Sequence, residues 1–81
     1  MARKIEAYEL GSGRDAMRFL DRAKEAGLEV YVGSADHHTI KSKKGVKLGY
    51  ITGQLSSCLI IRDDIDERQA SGLRKLVEDF H

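Results

Sequence analysis

Apolar residues recur at three- and four-residue intervals in the segment 14–26, and this spacing predicts an amphipathic helix. Ser12 and Asp15 have the spacing of a capping box, with Asp in place of the usual Glu. Gly27 is suited to the left-handed residue that ends a helix. The stripe expected to face the core consists of Ala16, Phe19, Leu20 and Ala23.

A second stripe at helical spacing predicts a closing helix over about residues 65–79. Asp63 or Asp64 is expected to be its N-cap, because Asp side chains accept hydrogen bonds from the first turn. Gly72 lies inside this helix, where glycine costs roughly 1 kcal/mol relative to alanine. We therefore expect a close packing contact at that position. The buried stripe is expected to be Leu73, Leu76, Val77 and Phe80.

Outside the helices, apolar and polar residues alternate with period two, which predicts strands. Gly33 and Ser34 permit a tight turn, and Gly45 can take the positive φ that a short hairpin needs. The hairpin tip is then the segment KSKKG, residues 41–45. The predicted strands are 3–10, 28–32, 37–42, 46–52 and 57–62.

This order of elements predicts an α+β fold, in which a small antiparallel sheet of three to five strands carries two helices on one face. The other face is expected to be open to solvent or to a partner. At 81 residues, the chain is expected to form one domain, 1–81, with 1–10 as an N-terminal strand. In that strand, Ile5 and Ala7, with Tyr8 or Leu10, are expected to point inward. The residues expected to be mostly buried are Phe19 or Leu20, Val30, Ile40, Leu48, Ile60, Leu73, Val77 and Phe80.

Composition excludes several classes of protein. Apolar residues make up 41% of the chain and the net charge is only +1, which argues against disorder and against a polycation. Cys58 is the only cysteine, so we expect no intrachain disulfide and no Cys-rich zinc site. We expect the Cys58 thiol to be buried. The longest apolar run, 58–61, is far too short to cross a membrane. We expect no metal, no cofactor and a cytoplasmic protein.

The two adjacent histidines are the residues with the clearest chemistry. If Ile40 points to the core, so does His38, whereas His37, Thr39 and Lys41 share the open face. A histidine exchanges protons at neutral pH, and RNA supplies its own nucleophile, the 2′-OH. His37 is therefore the candidate catalytic residue, with His38 as the fallback. The alternative is that both are polar residues beside a turn.

Four lysines accompany the histidines and could hold phosphate groups, since a local basic strip attracts anions even when the net charge is near zero. By alternation, Lys41 and Lys43 are expected on the face of His37. Lys44 and Lys47 lie nearer the hairpin tip or on the return strand. The candidate nucleic-acid-binding residues are Lys41, Lys43, Lys44, Lys47 and Ser34.

The order of these segments resembles the HicA family of toxins. The resemblance is carried by a helix with FLDRAKEAG, the strand LEVYV, a Gly-Ser turn, a strand led by histidine, a hairpin and the closing LRKLVEDF. It covers about residues 14–80. It implies a double-stranded-RNA-binding-domain-like α-β-β-β-α fold, to which 1–10 adds a strand.

The resemblance also implies an activity, namely metal-independent cleavage of messenger RNA that is neutralised by a HicB-type antitoxin. Residue by residue, His37 matches the catalytic histidine, and Gly33 and Ser34 match the turn before it. Ala35 and Asp36 stand between that turn and the histidines, where the family has one residue or none.

Two other classes of function fit the same residues. One is a nucleic-acid-binding module without catalysis, favoured if Ala35 and Asp36 spoil the catalytic site. Asp36 would also repel a nearby phosphate, which argues against both the ribonuclease and the nucleic-acid-binding module. The other is a protein-interaction or inhibitor module of a phage or mobile element. It would act through the open sheet face or through the acidic segment DDIDE, residues 63–67.

Overall fold

The computed structural model describes residues 4–34, 37–53 and 55–81. It contains a five-stranded sheet and two helices, which confirms the predicted α+β class. The elements, in chain order, are β1 (Glu6–Gly11), α1 (Gly13–Glu25), β2 (Glu29–Ser34), β3 (His37–Lys41), β4 (Lys47–Thr52), β5 (Ser57–Ile61) and α2 (Glu67–Phe80).

The strands are arranged in the order β1-β5-β4-β3-β2, and each neighbouring pair is antiparallel. The two edge strands, β1 and β2, are consecutive in sequence and are joined by α1. The connection through α1 therefore runs from one edge of the sheet to the other. Both helices contribute to one hydrophobic core on the same side of the sheet. We call this side the covered face and the opposite side the open face.

Both ends of α1 follow the sequence prediction. The Asp15 N–H donates to the Ser12 Oγ at 3.4 Å, and the Ser12 N–H donates to the Asp15 Oδ2 at 3.0 Å, so the capping box is complete. Gly27 has a φ of +90°, and the Leu28 N–H donates to the Ala23 carbonyl at 3.0 Å. The hydrogen bonds at both ends satisfy backbone groups that the helix itself leaves unpaired.

The start of α2 corrects the sequence prediction, because its N-cap is Asp66 rather than Asp63 or Asp64. The Gln69 N–H donates to the Asp66 Oδ1 at 2.8 Å, and the Gln69 side chain accepts from the Asp66 N–H at 3.3 Å. This reciprocal pair is a capping box with Gln at its third position. Ile65, just before the cap, is buried in the core, which fixes the entry of the chain into the helix.

The hairpin between β3 and β4 has the predicted tip. The Ser42 N–H donates to the Val46 carbonyl at 2.8 Å, and the Gly45 N–H donates to the Ser42 carbonyl at 2.9 Å. Gly45 has a φ of +86°, the conformation expected for the glycine of a short hairpin with a bulge. The register shifts between Ile40 and Lys41.

The core is confirmed in most of the predicted positions and corrected in others. Ile60 is half-buried on the open face, whereas its neighbours Leu59 and Ile61 are fully buried. Ile5, just before β1, and Ala7 are exposed, and the inward positions of β1 include Tyr8 and Leu10. Val30 and Phe80 are only partly buried and pack against the core. The largest fully buried side chains are Phe19, Leu20, Ile40, Ile51, Leu59, Ile61 and Leu73.

A polar network attaches α2 to β1 at the rim of the core. The Arg74 Nε donates to the Glu6 Oε1 at 2.8 Å, and a second guanidinium nitrogen donates to Glu67 at 2.6 Å. The Tyr8 hydroxyl donates to the same Glu6 oxygen at 2.7 Å, and this hydrogen bond raises the pKa of Tyr8. The two carboxylates also raise the pKa of Arg74.

The packing contact predicted at Gly72 is not present in the described part of the chain. Gly72 is exposed, and a Cβ at this position would meet nothing within 4 Å. Some reason other than internal packing is needed for a glycine inside α2.

Candidate nucleic-acid interface

The strand register places one row of side chains across the open face of all five strands. Ala7 pairs with Ile60, Ile60 with Tyr50, Tyr50 with Thr39, and Thr39 with Tyr31. Because side chains of paired residues point to the same face, the two tyrosines lie in one row with Thr39 between them. Tyr31 is 49% exposed and Tyr50 is half-buried. We call this row of five residues, Ala7, Ile60, Tyr50, Thr39 and Tyr31, the tyrosine row.

His37 lies next to the tyrosine row. Its imidazole stacks on the ring of Tyr50, with the ring centroids 5.2 Å apart and the ring planes 26° apart. His37 itself is exposed, as the alternation in β3 predicted. The stacked pair presents two adjacent flat groups on the open face.

Two lysines lie beside the tyrosine row, on the side opposite His37. The Lys41 Nζ lies 4.5 Å from the centroid of the Tyr31 ring, a cation–π contact. Lys47 is the register partner of Lys41 across β3 and β4, so both belong to the open face. Glu29 is the partner of Lys41 on β2 and partly offsets this positive charge.

His38 lies on the covered face, in agreement with its predicted place at the rim of the core. It is 6% exposed and pairs in register with Val32 on one side and Ile51 on the other. Its Nδ1 atom is buried and has no hydrogen-bond partner among the residues that the structure describes. A buried ring in this position cannot reach a substrate on the open face.

Lys43 does not lie on the face of His37, and this prediction is wrong. β3 ends at Lys41 and the chain turns at Ser42, so strand alternation does not extend to the next residue. The Lys43 side chain instead lies against Gly27, beside the C-terminal end of α1. Lys44 is exposed in the turn.

The turn before His37 is described only in part. Ser34 is the last residue of β2 and the register partner of His37, with a shift of register between Val32 and Ser34. The prediction that Ala35 and Asp36 alter the site concerns residues outside the described ranges.

Other open-face residues complete the surroundings. Cys58, which was expected to be buried, is half-buried there as the partner of Thr52. Beyond β5, the Arg62 Nε donates to the Asp64 Oδ1 at 2.8 Å, and this contact lowers the pKa of Asp64 and raises that of Arg62. The charge of Arg62 is therefore largely offset, whereas Lys41 and Lys47 form no ion pair with the residues that the structure describes.

Neither Tyr31 nor the row that it forms with Tyr50 was predicted from the sequence. The signal was available in the alternation of the segment 28–32, where Tyr31 falls between two apolar positions. The pairing of distant strands, which brings Tyr31 and Tyr50 into one row, cannot be derived from that alternation.

Neither a metal cluster nor a membrane-spanning helix occurs among the described residues. No group of three or more His, Cys, Asp or Glu side chains in the ranges 4–34, 37–53 and 55–81 could hold a metal ion. None of the helices seen in those same ranges is long and apolar enough to cross a membrane.

Comparison with known proteins gives no match to a family model, to a curated protein or to a solved structure.

Proposed function

We propose that the open face of the sheet binds single-stranded RNA by stacking unpaired bases on the rings of Tyr31, Tyr50 and His37. The observation that carries this proposal is the stacked pair His37–Tyr50, with the exposed ring of Tyr31 in the same row as Tyr50. Stacking suits any base, because every base has a flat π-face.

The arrangement also supplies charge. Lys41 and Lys47 lie on the same face as the three rings, where they can contact the phosphates that link the stacked bases. Tyr31 and Tyr50 are two strands apart, a separation of about 9–10 Å, which leaves room for one base on each ring. Bases in a duplex are already stacked on one another, so the rings favour an unpaired strand.

A binding experiment tests this proposal. Fluorescence anisotropy with a labelled single-stranded RNA of mixed sequence, repeated with the matching duplex, should show tighter binding of the single strand. The affinity should fall as the salt concentration rises. Failure to bind single-stranded RNA at low salt, or equal affinity for the duplex, would contradict it.

A second candidate function is RNA cleavage by His37, as the resemblance to HicA toxins implies. The supporting observation is that the imidazole of His37 is exposed on the proposed RNA-binding face. The imidazole would accept the proton of a 2′-OH while that oxygen attacks the adjacent phosphorus. The P–O5′ bond then breaks, and the 5′ oxygen takes up a proton, so that a 2′,3′-cyclic phosphate and a free 5′-OH result. Lys41, whose Nζ lies over the Tyr31 ring, can hold the charge of a phosphate farther along the bound strand.

On this second proposal, the protein acts in the cytoplasm on messenger RNA and is neutralised by a HicB-type antitoxin. Purified protein incubated with RNA in the presence of EDTA should release cyclic-phosphate ends, and induced expression should arrest growth. Binding of RNA without cleavage would instead support the nucleic-acid-binding module without catalysis. Neither binding nor cleavage would favour the protein-interaction module.

A further inference from the structure

A groove lies on the covered side of the molecule, away from the proposed RNA-binding face. It is formed where the C-terminal end of α1 meets α2 above the end of the β3–β4 hairpin, and it has a volume of about 370 Å³. Its apolar residues are Leu28, Leu48, Leu73 and Leu76, with Ala26 and Gly72 on the walls. A volume of this size is at the lower end of the range for binding pockets.

Gly72 is the first observation that indicates an external occupant. A glycine inside a helix destabilises it relative to alanine, so its presence calls for a reason. In the described part of the chain, a Cβ at Gly72 would meet nothing within 4 Å, so internal packing does not supply that reason. The glycine instead leaves the backbone of α2 open to close approach at the groove wall.

The charges at the rim are the second observation. Arg68 and Lys75 line the groove, and Lys43 lies against Gly27 next to it. Within the described ranges, none of these three cations forms an ion pair. Among the residues that the structure describes, Asp79 is the one carboxylate that lines the groove. The rim is therefore net positive and complements an occupant that carries negative charge beside apolar groups.

The shape of the groove favours a helix as the occupant. The lining residues of α2 extend from Arg68 to Asp79, which corresponds to about 16 Å along the helix axis. That length matches about three turns of a second helix, whose apolar side chains would recur every three or four residues. We propose that this groove binds an acidic amphipathic helix of a partner protein. The glycine at position 72 lets the two helices pack closely.

The probe for this proposal is a synthetic peptide with Leu at positions i, i+3 and i+7 and Glu at the remaining exposed positions. Two matched peptides carry Lys in place of Glu, or Ser in place of Leu. In amide NMR spectra of the full chain, the acidic peptide should shift the signals of Leu28, Gly72, Leu73 and Leu76. The Lys and Ser peptides should bind about tenfold more weakly or not at all.

Variants of the protein distinguish binding of the peptide in the groove from non-specific electrostatic attraction. Gly72→Ala should raise the melting temperature, because alanine favours the helix, and should weaken binding of the acidic peptide. Gly13→Ala is the matched control: it adds a methyl group at another exposed helix glycine with open surroundings and should leave the affinity unchanged. Arg68→Glu should also weaken binding of the acidic peptide.

The proposal is overturned if the acidic peptide does not bind, if the basic peptide binds equally well, or if the shifted signals lie outside the groove. Unchanged affinity in Gly72→Ala would also overturn it. RNA binding by Gly72→Ala should equal that of the wild type. Loss of peptide binding is therefore distinguishable from failure of the proposed RNA-binding function.

Discussion

The imidazole of His37 stacks on the ring of Tyr50, its diagonal neighbour across β3 and β4, at a centroid distance of 5.2 Å. His37 pairs in register with Thr52, and Tyr50 pairs with Thr39. The stack thus connects the open-face pair His37–Thr52 to the tyrosine row. The residue with the clearest proton chemistry and a ring suited to base stacking form one surface.

Removal of a ring from the tyrosine row should weaken binding of single-stranded RNA. Tyr50→Ala is expected to cost about 1–3 kcal/mol of binding free energy, the range for loss of one base–aromatic stack. Tyr31→Ala should have an effect of the same size. Anisotropy titrations at fixed salt measure both changes.

Leu55→Ala provides the control for these variants, since Leu55 is 97% exposed and outside the strands. If Leu55→Ala weakens binding as much as Tyr50→Ala does, the tyrosine row is not the RNA-binding surface.

The two histidines should respond differently to substitution. His37→Ala should abolish RNA cleavage, if the protein cleaves RNA, while the melting temperature stays near that of the wild type. His38→Ala should lower stability, because it leaves a cavity at the rim of the core. His38→Leu should restore stability, because it fills that space and removes a buried nitrogen that has no hydrogen-bond partner in the described part of the chain. Cleavage that survives in His37→Ala but disappears in a folded His38 variant would show that the assigned roles are reversed.

The salt dependence of RNA binding distinguishes the lysines that contact phosphates from those that do not. Each phosphate contact on a single strand contributes about 0.7 to the slope of log affinity against log salt. Lys41→Ala and Lys47→Ala should each reduce that slope by about this amount. Lys43→Ala is the matched control, because its side chain lies beside Gly27, and it should leave the slope nearly unchanged. An equal reduction for Lys43→Ala would mean that RNA extends past the hairpin tip.

Truncation of a core side chain in α2 should remove much of the stability of so small a protein. Leu73 is 1% exposed, and Leu73→Ala is expected to lower the free energy of unfolding by roughly 2–5 kcal/mol. Urea titration followed by circular dichroism measures the loss. Leu76→Ala, at a half-buried position of the same helix, should cost less. Equal costs would contradict the packing of α2 described above.

The capping box of α1 should make stability depend on pH in the acidic range. Hydrogen bonds from Ser12 lower the pKa of Asp15 below its ordinary value of 3.8, so the ionised carboxylate stabilises the folded state above pH 3.8. That contribution is lost as the pH falls from 3.8 through the lower folded-state pKa. Asp15→Asn should therefore be less stable than the wild type at pH 6, and the difference should shrink near pH 3.

Asp21→Asn is the control for that series, since Asp21 is exposed on the same helix and lies outside the capping box. A difference between wild type and Asp15→Asn that is as large at pH 3 as at pH 6 would contradict the role of the ionised carboxylate.

Local sequence patterns predicted the elements well and the details of their ends less well. Ser12, Asp15 and Gly27 predicted both ends of α1 because capping depends on residues a few positions apart. Asp63 and Asp64 were wrong as the N-cap of α2, because several acids in succession satisfy the same pattern. Asp66 is selected by Gln69 at the third position and by burial of Ile65.

The faces of the strands were predictable only where one apolar position dominates. In β3, burial of Ile40 fixes the inward place of His38 and the outward place of His37. In β5, the residues Leu59, Ile60 and Ile61 are all apolar, so the sequence does not show which of them faces outward. The groove at Gly72 depends on helix packing between distant segments, and no local pattern reports it.

The pairing of β1 with β5 has a consequence for synthesis of the protein. β1 leaves the ribosome before the other strands, yet β5, its neighbour in the sheet, is made about 50 residues later, a delay of about 3–10 s at ordinary elongation rates. During that interval, Leu10 and the rest of β1 have no partner strand, whereas the apolar stripe of α1 can pack against β2, β3 and β4 as those strands pair. β1 is therefore the part of the nascent chain that a chaperone would meet exposed. The sheet becomes complete only when translation has passed β5.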